Sequence, residues 1–460
     1  TLSQSARQYV AQAVLAGEGS KVKVRLKGAL NDMPFNDPKL GEFRVVAQVT
    51  QGRYAYVPPA TKTNTGLAKP WPVLEQIDGE LIFDRSALTF KGKTHLSNAP
   101  KVGWHKVQVS VPDLHDPVVS VSGEGRGPVR DVLAMVNTSA VGALLDGALD
   151  KAQASGEADY SLGLTVPVQQ LDKTQIKGQV LFKDSELQVV PGTPVLNRAK
   201  GAVLFNQEGF QLKDFKAKAL GGDVELQGGL TWATTNSKAP TQLKAQGQFS
   251  AEGLRQAKEL GFVSRLATNA TGKSNYQLTL NLKRGQPEWV LSSDLRGMAL
   301  NLPSPLNKAA NIAMPLRVEN QLTKESVLPK PKVLQDVLKV SVGRVLGASY
   351  LRDIGSTQTR VLSGGVWVGA MDSAPVRDKG VGLNLALPSL DVDAWSEVLS
   401  QWTGLPVGVG KASPGKASTP SPMVGASAEA NAAMDYVPTS LSVRAEQIKV
   451  AGRAIHEVVV

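Results

Sequence analysis

Lys21-Val22-Lys23-Val24-Arg25-Leu26-Lys27 places an apolar side chain at every even position and a cation at every odd one. A strict period of two marks a β-strand with one dry face and one wet face. The alternation returns at Val107-Gln108-Val109-Ser110-Val111, over 160–166 and 276–282, and at Leu383-Asn384-Leu385-Ala386-Leu387. Roughly 25 such segments follow one another, far more than an ordinary sheet carries. Few helical segments are available to cover their apolar sides. The pattern therefore predicts a mainly β chain: an elongated, curved antiparallel sheet bent into a U-shaped groove, built from repeated hairpins.

Composition agrees. The 460 residues are 42% apolar, 20% charged and 5% aromatic, with 44 Gly, 27 Pro and no Cys. Absence of Cys excludes thiolate-ligated zinc, iron–sulfur clusters and thiol catalysis. The net charge is +11, but the cations alternate singly with apolar residues along strands. Nucleic-acid binding would want them clustered among exposed aromatics, so no nucleic-acid partner is expected. No apolar run reaches the ~18 residues of a membrane-spanning helix. The chain opens on Thr1, and His456-Glu457-Val458-Val459-Val460 reads as a strand cut in mid-course. The expectation is an internal piece of a larger protein.

Helical spacing appears over 2–16, ended by Gly17, and over 128–151, opened by Pro128. It appears again over 251–267, capped by Ser250, and over 392–402, capped by Asp391. Polar loops are read at 58–70 and 403–438, the latter as a disordered linker rich in Gly, Ala, Ser and Pro. The organisation expected is a groove segment with its helix at 1–57, a repeat region at 71–250 and continuing groove at 251–402. The 403–438 linker and truncated strands at 439–460 complete it. Gly79, Phe83 and Leu88 recur as Gly178, Phe182 and Leu187 and as Gly201, Phe205 and Phe210, each copy read as a strand, a tight turn and a return strand.

Chemical motifs are scarce. His95, His105 and His115 are spaced by ten, and equal spacing along strands does not converge ligands. His456 stands apart from them. Gly123-Glu124-Gly125-Arg126-Gly127 lacks the Lys-Ser/Thr of a phosphate loop and reads as a strand-to-helix turn. Asp391 and Asp393 are the most conspicuous paired acids, and a helix N-terminus favours acids for electrostatic reasons alone. No catalytic residue, metal or cofactor is expected. The candidate functional set is diffuse, an apolar lining of Val22, Val24, Leu26, Leu81, Phe83, Val180, Phe182, Val203, Phe205, Val224, Leu226, Leu278, Leu280, Leu385 and Leu387.

A family likeness rests on particular residues. Gly209-Phe210-Gln211-Leu212-Lys213-Asp214-Phe215-Lys216-Ala217-Lys218-Ala219-Leu220-Gly221-Gly222-Asp223-Val224-Glu225-Leu226-Gln227-Gly228 resembles the terminal repeat signature of AsmA-like proteins. Trp71-Pro72 followed by Ile77-Asp78-Gly79-Glu80-Leu81-Ile82-Phe83 does too. The order of segments, from the 128–151 helix through Leu164-Thr165-Val166-Pro167-Val168 and the 175–232 repeats to Leu385–Trp395, resembles the YhdP branch. The likeness is weakest over 320–380 and 403–438.

The resemblance implies a Gram-negative envelope protein, anchored in the inner membrane, whose β-groove crosses the periplasm. It would move phospholipid between inner and outer membrane, with phospholipid and both membranes as partners. By that resemblance the anchor and the C-terminal end of the full pattern are expected to lie outside this sequence. Two other readings stand beside it. One is a scaffold for outer-membrane proteins, as in TamB relatives. The other is a β-solenoid enzyme acting on polysaccharide, which would need converging acids.

Overall fold

The computed structural model describes residues 4–58, 69–144, 149–231, 242–283, 286–328, 331–355, 359–369, 379–403 and 435–459. The 59–68 and 404–434 parts of the expected loops lie outside these residues. Among those described, 23 strands belong to one sheet. The sheet is open: β1 (Val14–Gly28) pairs only with β2 (Gly41–Tyr54), and β23 (Arg453–Val459) only with β22 (Ser440–Val450). The chain divides into two compact units, Thr1–Lys218 with Gln227–Ala239, and Ala219–Leu226 with Pro240–Val460.

The first unit continues with β3 (Leu74–Asp84), β4 (Ala87–Leu96), β5 (Ala99–Val111) and β6 (Val118–Pro128). Then come β7 (Gln153–Ser155), β8 (Glu157–Pro167), β9 (Gln175–Gln188), β10 (Leu196–Asn206) and β11 (Gly209–Ala219). Every pairing resolved within it is antiparallel. Bulges interrupt the ladders, with left-handed backbone at Lys21, Gln51, Gln76, Arg198 and Asp214. Each adds local twist and bends its strand.

Apart from the expected 392–402 helix, which is observed over Val392–Thr403, helices are shorter than the periodicity suggested. α1 (Gln4–Ala13) ends before Gly17, because Val14 onward pairs with β2. The 128–151 segment gives α2 (Val129–Thr138) and α3 (Ala140–Leu144), separated where Ser139 Oγ accepts from Val141 N. α2 lies over the β5 end of the apolar face, where Ala99 and Val102 are buried.

Two motif readings are corrected. Gly123–Gly127 is the interior of β6, paired on both sides, not a turn. Its glycines alternate with Glu124 and Arg126, so they share one face and leave room there for the Trp104 ring. The 178–187 copy of the repeat is not a hairpin. Lys183-Asp184-Ser185-Glu186 stays extended inside β9, held by ladders to β8, β7 and β10. The other two copies do reverse, at Arg85 in left-handed conformation and at Asn206, whose Oδ1 accepts from Glu208 N and Gly209 N.

β12 (Gly222–Thr231) contributes residues to both units. The second unit runs β13 (Gln242–Ser250), α4 (Ala251–Gln256), α5 (Phe262–Leu266), β14 (Ala270–Lys283), β15 (Gln286–Ser293), β16 (Met298–Leu300) and β17 (Leu316–Leu322). It ends with β18 (Gln335–Val342), β19 (Leu346–Asp353), β20 (Arg360–Gly369), β21 (Gly380–Asp391), α6 (Val392–Thr403), β22 and β23. Ser250 Oγ caps α4 through Gly253 N at 2.9 Å, and Gly261 at φ 55° divides the expected 251–267 helix. The sheet is not wholly antiparallel: β20–β21 and β21–β22 are parallel. A parallel pair needs a long return, which α6 begins after β21.

Aromatic rings lie across glycines of neighbouring strands. A Cβ on Gly79 or Gly92 would meet Phe90, and one on Gly178 would collide with Phe205. The rings therefore rest close to the backbone instead of standing off it. Gly178→Ala is expected to cost about 1–3 kcal/mol by overpacking. Combined with Phe205→Ala, the cost should be less than the sum of the two single changes, since the collision is then gone. Urea unfolding of the four proteins checks this, and simple additivity would contradict the contact.

Candidate functional site

Residues directly opposite one another across a ladder point to the same face of a sheet. In the first unit this register lines up the apolar phases. Val24, Val45, Phe83, Leu88 and Val111 form one cross-strand row. Ala47, Leu81, Phe90, Val109, Val121, Leu164 and Ile176 form the next. Tyr160, Val180, Val203 and Leu212 continue the same face. Phe182 opposes Ala158 and Gly201, and Phe205 opposes Gly178 and Phe210.

This face is not a packed core. Val22, Val24 and Leu26 are 56%, 61% and 50% exposed. Leu81, Phe83, Val180, Val203 and Phe205 are half-buried, and Phe182 is buried. Val224 is buried and Leu226 half-buried on one face of β12.

The second unit repeats the arrangement. Ala245, Leu278, Leu291, Val318, Val340, Ala348, Val366, Leu383 and Leu441 form one row. Leu280 stands between Leu243 and Trp289, Leu385 between Val368 and Val443, and Leu387 beside Ala445. Leu278, Leu280 and Leu385 are half-buried and Leu387 is buried. All four lie on that apolar face. Sequence reasoning missed Phe90, Trp289, Val318 and Val340, although their alternation was visible.

The opposite face of the first unit is ionic. Arg44 meets Asp84 at 2.9 Å, Lys106 meets Glu124 at 2.6 Å, and Asp159 takes both Arg126 and Lys183 at 2.6 Å. A depression of about 1060 Å³ opens on it, lined by residues that include Lys91, Lys106, Lys177, Gln108, Ser122 and Ser161. His105 lines it, whereas the His115 Nδ1 lies 2.8 Å from Asp113 in a loop. Among the described residues no group of three His, Asp or Glu could hold a metal. Nor is any helix among them long and apolar enough to cross a membrane.

The conspicuous acids have structural partners. Asp391 Oδ1 accepts from Ala394 N in the first turn of α6. Asp393 accepts from Ala451 N and Gly452 N and so ties the β22–β23 turn.

One charged cluster sits on the apolar side. Asp336 and Arg352 face each other across β18–β19, in phase with Leu338 and Tyr350. Arg352 Nε and Nη2 donate to Asp336 at 2.8 and 2.6 Å, and Asn320 Nδ2 donates to the same carboxylate at 3.2 Å. Burial works against the guanidinium charge, but the bonds to Asp336 and Tyr436 outweigh it and raise the Arg352 pKa. Burial also pushes the Tyr350 phenol up to about 12.

Two changes separate these ionic groups. Asp336→Ala leaves a buried guanidinium without its carboxylate and should cost about 3–5 kcal/mol in urea unfolding. A loss under about 1 kcal/mol would place the pair with weak surface bridges. The Asp159 carboxyl is drawn from 3.8 down to about 2 by hydrogen bonds from Arg126 and then Lys183. A carboxylate lowered on folding stabilises above its ordinary pKa and loses that contribution as pH falls through the folded value. Asp159→Asn should therefore flatten part of the fall in urea midpoint between about pH 4 and pH 2. An unchanged slope would contradict the pairing.

Comparison with known proteins adds the following. The profile of the YhdP protein family matches residues 1–460. The Escherichia coli (strain K12) protein named intermembrane phospholipid transporter YhdP is 21% identical over 323 residues, covering 68% of this chain and 24% of that protein. The chain thus spans about a quarter of the length of this curated relative. No solved structure matches.

Proposed function

We infer a function for this chain from the premise that it belongs to the YhdP protein family. The reading is a lipid-carrying segment: phospholipid acyl chains lie on the apolar face, and their headgroups stay in water. In the longer polypeptide it would serve as part of a path between inner and outer membrane across the periplasm. No catalytic step is assigned to it.

The observation that carries this reading is the in-register apolar face that stays half open in both units. Burying an acyl chain is worth about 0.8 kcal/mol per CH₂. A half-open face recovers part of that at every strand it passes. Many similar shallow contacts let a lipid slide, whereas one deep pocket would trap it. Rings laid on glycine keep the floor low, and the wet face carries the ion pairs. The printed name of the E. coli relative supports phospholipid as the substrate class.

Val121 and Leu164 are direct neighbours in one row of this face. The double variant Val121→Glu, Leu164→Glu should lower binding and transfer of a fluorescent phospholipid at least several-fold. The double variant Gln108→Glu, Gln179→Glu on the wet face should leave both unchanged. Equal transfer by all three proteins would sink the reading.

A further inference from the structure

We propose that Tyr436 is a plug: its ring, carried on the lead-in to β22, lies over the apolar face of the second unit where an acyl chain would otherwise sit. This rests on the lipid reading above. Over most of its breadth that face is half open, through Leu278, Leu291, Val318 and Val340. At β19–β21 it closes, with Ala348, Tyr350 and Val381 at 6%, 9% and 1% exposure. Beside the strand residues Leu338, Val340, Val361 and Val366, the Tyr436 ring packs against this cluster, standing edge-on to Tyr350 with centroids 5.1 Å apart.

The ring is fastened through Arg352, while the Thr439–Val381 bonds extend the β21–β22 ladder and stay when the ring leaves. Arg352 Nη1 donates to Tyr436 Oη at 3.3 Å. Thr439 N donates to Val381 O at 2.8 Å, and Val381 N donates to Thr439 Oγ1 at 3.2 Å. Arg352 already has its counter-charge, since Asp336 holds two of its nitrogens. When the ring leaves, no buried charge is stranded, and stranding one is what makes a buried polar contact expensive to break. What the ring covers is apolar, and an acyl chain re-covers it with the same chemistry. An exchange of ring for lipid therefore keeps the apolar cover and gives up one hydrogen bond, the one Arg352 Nη1 makes to Tyr436 Oη. The plug gives the second unit a closed state that lipid can open.

The test uses the full chain with the photocrosslinker benzoylphenylalanine at one of two positions. One is 164, on the open face of the first unit. The other is 383, next to Val366 at the border of the covered patch. Each protein is mixed with phosphatidylethanolamine–phosphatidylglycerol vesicles, irradiated, and its attached lipid is weighed by mass spectrometry. With native Tyr436 the expected result is lipid at 164 and little at 383. Tyr436→Ala should raise labelling at 383 several-fold and leave 164 unchanged. Tyr436→Phe keeps the ring and should stay low. The plug is overturned if 383 labels equally with and without the Tyr436 ring, or stays at background in both while 164 labels. It is also overturned if Tyr436→Ala unfolds the chain, because the ring is then a core residue. Absence of lipid at both positions sinks the lipid reading itself, and the plug with it.

Discussion

Residues facing each other across a β-ladder must share a face, and everything else here depends on that constraint. A strand with period-two chemistry can be shifted by one residue only by turning its apolar side chains to the wrong side. When strand after strand keeps phase, the apolar residues merge into continuous rows. The rows from Val24 to Val111 and from Ala47 to Ile176 are the result. A sandwich would cover such rows with a second sheet. Among the described residues the cover includes α2 over one end in the first unit and the Tyr436 ring over one patch in the second.

Stability and accessibility pull against each other in such an arrangement. An open apolar face forfeits part of the burial that stabilises an ordinary domain. The chain recovers stability locally, through long ladders, aromatic rings on glycine, and ion pairs on the wet face. The Asp336–Arg352 pair belongs to a different class, since it is buried. Asn320 adds a hydrogen bond to its carboxylate, and bonds of that kind are what let such a pair be tolerated.

Much of this was legible in sequence, because alternation reports the face directly. Val24, Leu26, Leu278 and Leu280 fall on apolar faces for that reason. The buried ion pair was legible too, in retrospect. Asp336 occupies the apolar phase shared by Leu338, Val340 and Val342, and Arg352 the phase of Leu346, Ala348 and Tyr350. A charge in the dry phase of two adjacent strands is a readable signal. What was not legible depends on partners far away in the chain. Lys183–Glu186 has turn-like composition, but ladders on both sides keep it straight. Gly123–Gly127 imitates a loop until Trp104 is seen lying on its glycines. The parallel β20–β21 and β21–β22 pairs depend on long returns, and no local pattern encodes direction.

The most direct test of the central claim is to extract the purified chain with organic solvent and count phospholipid by mass spectrometry. A soluble basic protein of similar size, prepared alongside, sets the background. The account predicts several phospholipid molecules per chain, because apolar rows run through both units. Phospholipid at the background level would contradict it, and the half-open faces would then need a cover other than lipid.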